Sequence, residues 1–111
     1  MRIALLALCL AMAGCGKLAE DAERGRLLLR QFGCGGCHAI PGVAVAQGKV
    51  GPPLGAVARR VYLGGVLPNT PENMTRFIRA PQKADPRSAM PDMGVTEEHA
   101  RDMVAYLYTL K

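Results

Sequence analysis

Cys34-Gly35-Gly36-Cys37-His38 is the string around which the rest of this chain has to be arranged. Cysteines three residues apart fall on one side of a helical turn, so both thiols face a common object, and the next residue is aimed beneath it. The two intervening glycines let backbone pass close to that object. The rest of the composition places the object in the interior. The chain has 111 residues, room for one small domain, and three Tyr, two Phe and no Trp make a thin core. Something other than side chains fills the middle.

C-x-x-C-H is the signature of covalent c-type haem attachment, with the histidine positioned to ligate iron. Three other readings compete with it. A thioredoxin-like dithiol requires a βαβ context, which the chain lacks. A zinc site requires two further Cys or His ligands, and beyond the motif only His99, Cys9 and Cys15 remain. A plain disulfide between Cys34 and Cys37 is the third.

The amino terminus reads as an address. Arg2 precedes an apolar run over residues 3–13. That run is shorter than the roughly twenty residues a bilayer span needs, and it suits the core of a secretory signal. It closes on Met12-Ala13-Gly14-Cys15, which resembles the lipobox of bacterial lipoproteins, although that family prefers Leu where Met12 stands. The resemblance implies a signal peptide over 1–14, an acylated Cys15, a short tether over 15–19 and a domain over 20–111. Such a domain is held on the periplasmic side of a bacterial membrane, and export agrees with haem attachment outside the cytoplasm. The net charge of +5, with Arg interleaved among acids, speaks against nucleic acid as a partner. It suits a soluble domain that meets an acidic partner surface.

Periodicity predicts an all-α domain with long loops. Residues 20–32 carry acids early, Arg later and apolar Ala22, Leu27, Leu28, Leu29 and Phe32, the pattern of an amphipathic helix that Gly33 ends. Gly25 inside it costs roughly 1 kcal/mol against Ala, which close approach of another backbone offsets. Residues 39–54 are rich in Gly and Pro and form a loop that wraps something. Residues 57–67 are ambiguous, with room for one helical turn. Thr70-Pro71-Glu72 starts a helix with Met74, Phe77 and Ile78 on one face, ending before Pro81. Residues 82–94 form a second extended loop holding Met90 and Met93. Thr96 caps a last helix whose stripe is Ala100, Met103, Val104 and Leu107, with Tyr106 beside it. No β alternation is evident, and His99 reads as a solvated surface residue.

From about residue 20 to residue 111 the chain resembles class I cytochrome c, the small monohaem electron carriers. The resemblance rests on the haem motif and on three further places. Gly51-Pro52-Pro53-Leu54 is similar to the family's G-P-x-L, in which the first Pro carbonyl accepts the N–H of the ligating histidine and the Leu packs on the ring. Ala89-Met90-Pro91-Asp92-Met93-Gly94 is similar to the distal loop, whose ligand Met lies nine residues after a helix-ending Pro and four before a Gly; Pro81 and Gly94 select Met90 over Met93. Gly25 against Met103 and Tyr106 resembles the family's crossing of first and last helices. The resemblance implies three to four helices and long loops wrapped around one haem c. That haem is bonded to Cys34 and Cys37 and ligated by His38 and Met90, with Pro52 orienting His38, Leu54 lining the proximal side and Phe77 beside the ligand Met. A thioether ligand raises the potential relative to His/His ligation. Arg59, Arg60, Tyr62 and Asn69 stand where the family finds donors to the haem propionates. The implied function is single-electron transfer without catalysis, by a monomer, either free or as a subunit of a larger oxidoreductase. Its redox partners are a membrane oxidase or reductase. The rival reading is a haem enzyme or gas sensor with an open distal site.

Overall fold

The computed structural model describes the backbone of residues 2–111 and the side chains from residue 16 onward. The side chain of Cys15, expected to carry the lipid, and those of the expected signal over 1–14 lie outside the described residues. Helix α1 (Arg2–Gln31) is followed by 3-10 turns at Cys34–Gly36 and Val57–Arg59 and by a hairpin of β1 (Tyr62–Leu63) and β2 (Leu67–Pro68). Helices α2 (Pro71–Arg79), α3 (Pro81–Ala84) and α4 (Glu97–Leu107) complete the chain. Among the described residues no helix is long and apolar enough to cross a membrane.

Helix α1 is longer than its periodicity suggests. Residues 15–19, expected as a tether, are helical, because Lys17, Leu18 and Ala19 are good helix formers and no proline interrupts them. The helix stops where expected, with Gly33 at φ 72°. Leu28 and Leu29 are buried, whereas Leu27 is 51% exposed. They meet the stripe of α4, in which Ala100 and Met103 are fully enclosed. The two helices cross at Gly25, where a Cβ would stand 1.8 Å from the carbonyl oxygen of Asp102 and 2.8 Å from the nitrogen of Met103. Arg24 Nε donates to the buried Asp102 carboxylate at 2.8 Å across the same crossing. On α4 the Tyr106 hydroxyl donates to the carbonyl of Pro41 and pins the loop after the motif.

The helix starts follow their side chains. Thr70 Oγ1 accepts from Asn73 N at 3.1 Å, and Thr96 Oγ1 accepts from His99 N at 3.2 Å. Where an extended loop was expected from residue 82, Pro81 opens the short α3, because its fixed φ suits a first helical position. The hairpin was also unexpected. Its strands are two residues long, too short for alternation to register, and Gly64 (φ 56°) and Gly65 (φ 72°) supply the left-handed turn that joins them.

Asn69 straps these pieces together. Its Nδ2 donates to the carbonyls of Val57 and Arg60 at 3.0 and 2.8 Å, and its Oδ1 accepts from Tyr108 Oη at 2.6 Å. Asn69→Ala is expected to destabilise the holoprotein by about 2–3 kcal/mol and Tyr108→Phe by about 1 kcal/mol, read from thermal denaturation. Burial, with Glu72 nearby, pushes the Tyr108 phenol above its ordinary value. This contribution is therefore complete below the unfolded value near pH ~10 and is lost as pH rises through the folded one.

Candidate functional site

The motif is built as one tight turn. Cys37 N and His38 N both donate to the carbonyl of Cys34, at 3.3 and 3.1 Å, and Gly36 N donates to Gly33 O at 3.0 Å. Loop 39–54 then folds back over that turn: Gly48 N donates to Gly35 O at 3.0 Å, Gly51 N to Cys37 O at 2.7 Å and Leu54 N to Ala39 O at 2.8 Å. A Cβ on Gly35 would lie 2.6 Å from Ala46 Cβ, so Gly35 makes room for the returning loop, and Gly36 has nothing within 4 Å.

Cys34, Cys37 and His38 line one cavity of about 350 Å³. Both cysteines carry free thiols. Burial pushes the Cys34 thiol above its ordinary value, so it is held protonated. His38 Nδ1 lies 2.7 Å from the carbonyl oxygen of Pro52. A carbonyl only accepts, so the proton sits on Nδ1 and Nε2 keeps its lone pair. The ring also lies against Gly51, where a Cβ would stand 2.4 Å from His38 Cε1. A hydrogen bond fixes the tautomer and a bare backbone fixes the plane.

The remaining wall is mostly apolar: Leu54, Val57, Leu63, Met74, Phe77, Ile78 and Leu107 line it together with Met90 and Met93. Met90 is half-buried, whereas Met93 is 44% exposed. Of the expected propionate donors, Arg60 reaches the wall, and its guanidinium donates to the carbonyl of Pro53. The structure does not bring Arg59, Tyr62 or Asn69 there. Arg59 is exposed on its turn, strand alternation sends Tyr62 outward while Leu63 points in, and Asn69 spends its hydrogen bonds on the strap. Asp85, Ser88 and Val50 also line the cavity. Sequence reasoning passed over them, and no local pattern marks them. His99 departs from its expected surface role: its ring meets Phe32 edge-on at 6.1 Å, and its Nδ1 is buried without a partner among the described residues.

The cavity falls within the roughly 300–1,000 Å³ typical of cofactor sites. Its donor set is two thiols, one imidazole with a free Nε2 and the thioethers of Met74, Met90 and Met93, on apolar walls. That combination suits a haem: sulfur to bond the macrocycle, nitrogen and soft sulfur for iron, and hydrocarbon against its faces. Among the described residues no three His, Cys, Asp or Glu side chains gather as a metal-binding group. A larger open groove of about 840 Å³ between α1, α2 and α4 shares no lining residue with this cavity and contains no thiol, imidazole or thioether.

The family model described as Cytochrome c matches residues 22–111. The chain is 34% identical over 91 residues to a curated protein, cytochrome c oxidase subunit 2 of Alkalihalophilus pseudofirmus, an alignment covering 81% of this chain and 26% of that protein. The chain therefore spans about a quarter of that relative's length. No solved structure matches.

Proposed function

The chain belongs to the cytochrome c family, a haem-based electron-transfer domain, and from that premise we propose that it is a membrane-tethered carrier of single electrons on the periplasmic side of a bacterial membrane. Haem c, when bound, supplies a one-electron iron couple. The residues do the rest. Cys34 and Cys37 would hold the macrocycle, His38 Nε2 and the Met90 thioether would ligate iron, and Pro52 keeps the imidazole in the tautomer that leaves Nε2 basic. Leu54, Met74, Phe77 and Ile78 exclude water. With His38 and Met90 both holding the iron, no substrate would have access to it, which favours transfer over catalysis.

The observation that carries this reading is the convergence of both motif cysteines, the Pro52-oriented His38 and Met90 on one apolar cavity. The relative's description as an oxidase subunit supports a membrane oxidase as the partner and makes a bound oxidase subunit the second reading. The tether is proposed to run from an acylated Cys15, with the signal over 1–14 removed and the domain over 20–111 held close to the lipid.

A visible to near-infrared spectrum of purified holoprotein tests the core of the proposal. A c-type haem spectrum with a sulfur-to-iron charge-transfer band is expected. Met90→Ala abolishes that band and lets ferrous protein bind carbon monoxide, while Met93→Ala leaves the band intact. The opposite pattern reassigns the ligand to Met93. Rapid carbon monoxide binding by the parent protein favours the gas sensor or haem enzyme, and a colourless product sinks the reading altogether. Mass spectrometry of protein extracted from membranes reads the tether, which an unacylated Cys15 would contradict.

A further inference from the structure

Met90 belongs to a stretch without regular structure between α3 and α4, yet an axial ligand has to be held in a fixed place to compete with water and other donors. The backbone of Met90 is tied at both of its polar atoms. Its N–H donates to Ser88 Oγ at 3.2 Å, and its carbonyl accepts from Gln82 Nε2 at 2.6 Å. The same Nε2 donates to the carbonyl of Ser88 at 3.0 Å. Two carbonyls face this one amide nitrogen, so the orientation of the carboxamide is fixed by chemistry: only the NH2 end, with its two hydrogens, satisfies both.

Gln82 projects from a firm base. The preceding Pro81 is buried and opens α3, and Asp85 N donates back to Pro81 O at 2.8 Å. Ser88 N then donates to Asp85 O at 2.9 Å and Arg87 N to Asp85 Oδ1 at 3.0 Å. Beyond Met90 the path turns at Gly94, whose N–H donates to Asp92 Oδ1 at 2.9 Å, and re-enters the core at the buried Val95. Among the described residues Gln82 supplies the one side-chain hydrogen bond to the carbonyl of Met90.

We propose that Gln82 is the positioning residue of the distal loop: its carboxamide closes residues 82–90 into a ring that presents the Met90 thioether to the cavity. The inference rests on the reading of Met90 as the iron ligand. Loss of the amide leaves the fold and the thioether in place but lets the loop open more often, so an external ligand displaces the thioether more readily.

The test is imidazole titration of ferric holoprotein, followed through the charge-transfer band, with the thermal loss of the band recorded separately from global unfolding. Gln82→Ala is expected to raise apparent imidazole affinity about threefold to tenfold, the effect of losing one or two solvent-accessible hydrogen bonds. Its band should fade at lower temperature while the global transition moves little. Gln82→Glu preserves size but sets a carboxylate against two carbonyls, so at neutral pH it should weaken ligation at least as much as the alanine. Lys83→Ala, exposed on the same helix, should match the parent. Imidazole affinity in Gln82→Ala equal to that of the parent, or a Gln82→Glu protein indistinguishable from it, overturns the proposal. If the parent protein has the band and Met90→Ala keeps it, the ligand reading itself is wrong and this inference falls with it.

Discussion

Holoprotein carrying Gly25→Ala is expected to unfold about 10–20 °C below its parent. An alanine Cβ would stand 1.8 Å from Asp102 O and 2.4 Å from Asp102 C, atoms of α4 backbone that cannot rotate away as a side chain does. The helices have to separate by more than an ångström to restore ordinary contact. That separation opens voids around Leu28, Leu29 and Met103 and misaligns the ion pair of Arg24 with the buried Asp102. Overpacking of this kind costs about 1–3 kcal/mol and occasionally more. A carboxylate deprived of its partner in a buried place adds to it. Alanine recovers only about 1 kcal/mol of helix propensity, leaving a net loss on the order of 3 kcal/mol. Gly16→Ala on the same helix separates the two effects. Nothing lies within 4 Å of a Cβ there, so only the propensity gain remains and the melting temperature should hold or rise. Equal melting temperatures for Gly25→Ala and the parent would mean that α1 and α4 do not cross as described.

What the sequence discloses here is the chemistry that acts over a few residues. Thr70 and Thr96 announce their helices because a cap is completed within three residues. The α4 stripe is legible because burial repeats with the helical period, and Gly25 because a mid-helix glycine needs a reason. The C-x-x-C-H motif is legible for the same reason, since its spacing is complete within five residues; the Pro52 carbonyl opposite His38 is implied by the resemblance of Gly51-Pro52-Pro53-Leu54 to the family's G-P-x-L. What stays hidden is set between distant segments. Asn69 looks like a polar residue available to a ligand, and only the fold shows that Val57, Arg60 and Tyr108 already engage its polar atoms. Tyr62 and Leu63 are adjacent, and no sequence period says which of the two faces the cavity. Ala46 explains Gly35 from across a loop, and Phe32 draws in His99 from the far end of the chain. Gln82 is the sharpest case: an exposed, unremarked polar residue whose importance lies wholly in two carbonyls six and eight residues onward.

Chain made without haem, either by omitting the attachment system or as the double variant Cys34→Ala, Cys37→Ala, is expected to lose fixed tertiary structure while keeping part of its helix. A sealed apolar void of about 350 Å³ would cost roughly 8 kcal/mol at about 24 cal/mol per Å³. This cavity is open to solvent, so water relieves part of that figure, yet the remainder is of the same order as the roughly 5–15 kcal/mol by which small domains are stable at all. The loss falls unevenly. Leu54, Val57, Leu63, Phe77 and Ile78 line the cavity, whereas Leu28, Leu29, Ala100, Met103 and Val104 belong to the core where α1 crosses α4 and do not line it. Residues 39–94 should therefore lose their order while the α1–α4 pair retains helix. The expected signature is a flat near-ultraviolet circular dichroism spectrum with substantial far-ultraviolet helix signal and dye binding to exposed apolar surface. Native-like near-ultraviolet dichroism in haem-free chain would show that side chains alone fill the interior. The cavity would then be a secondary feature of the fold rather than the space about which it is built.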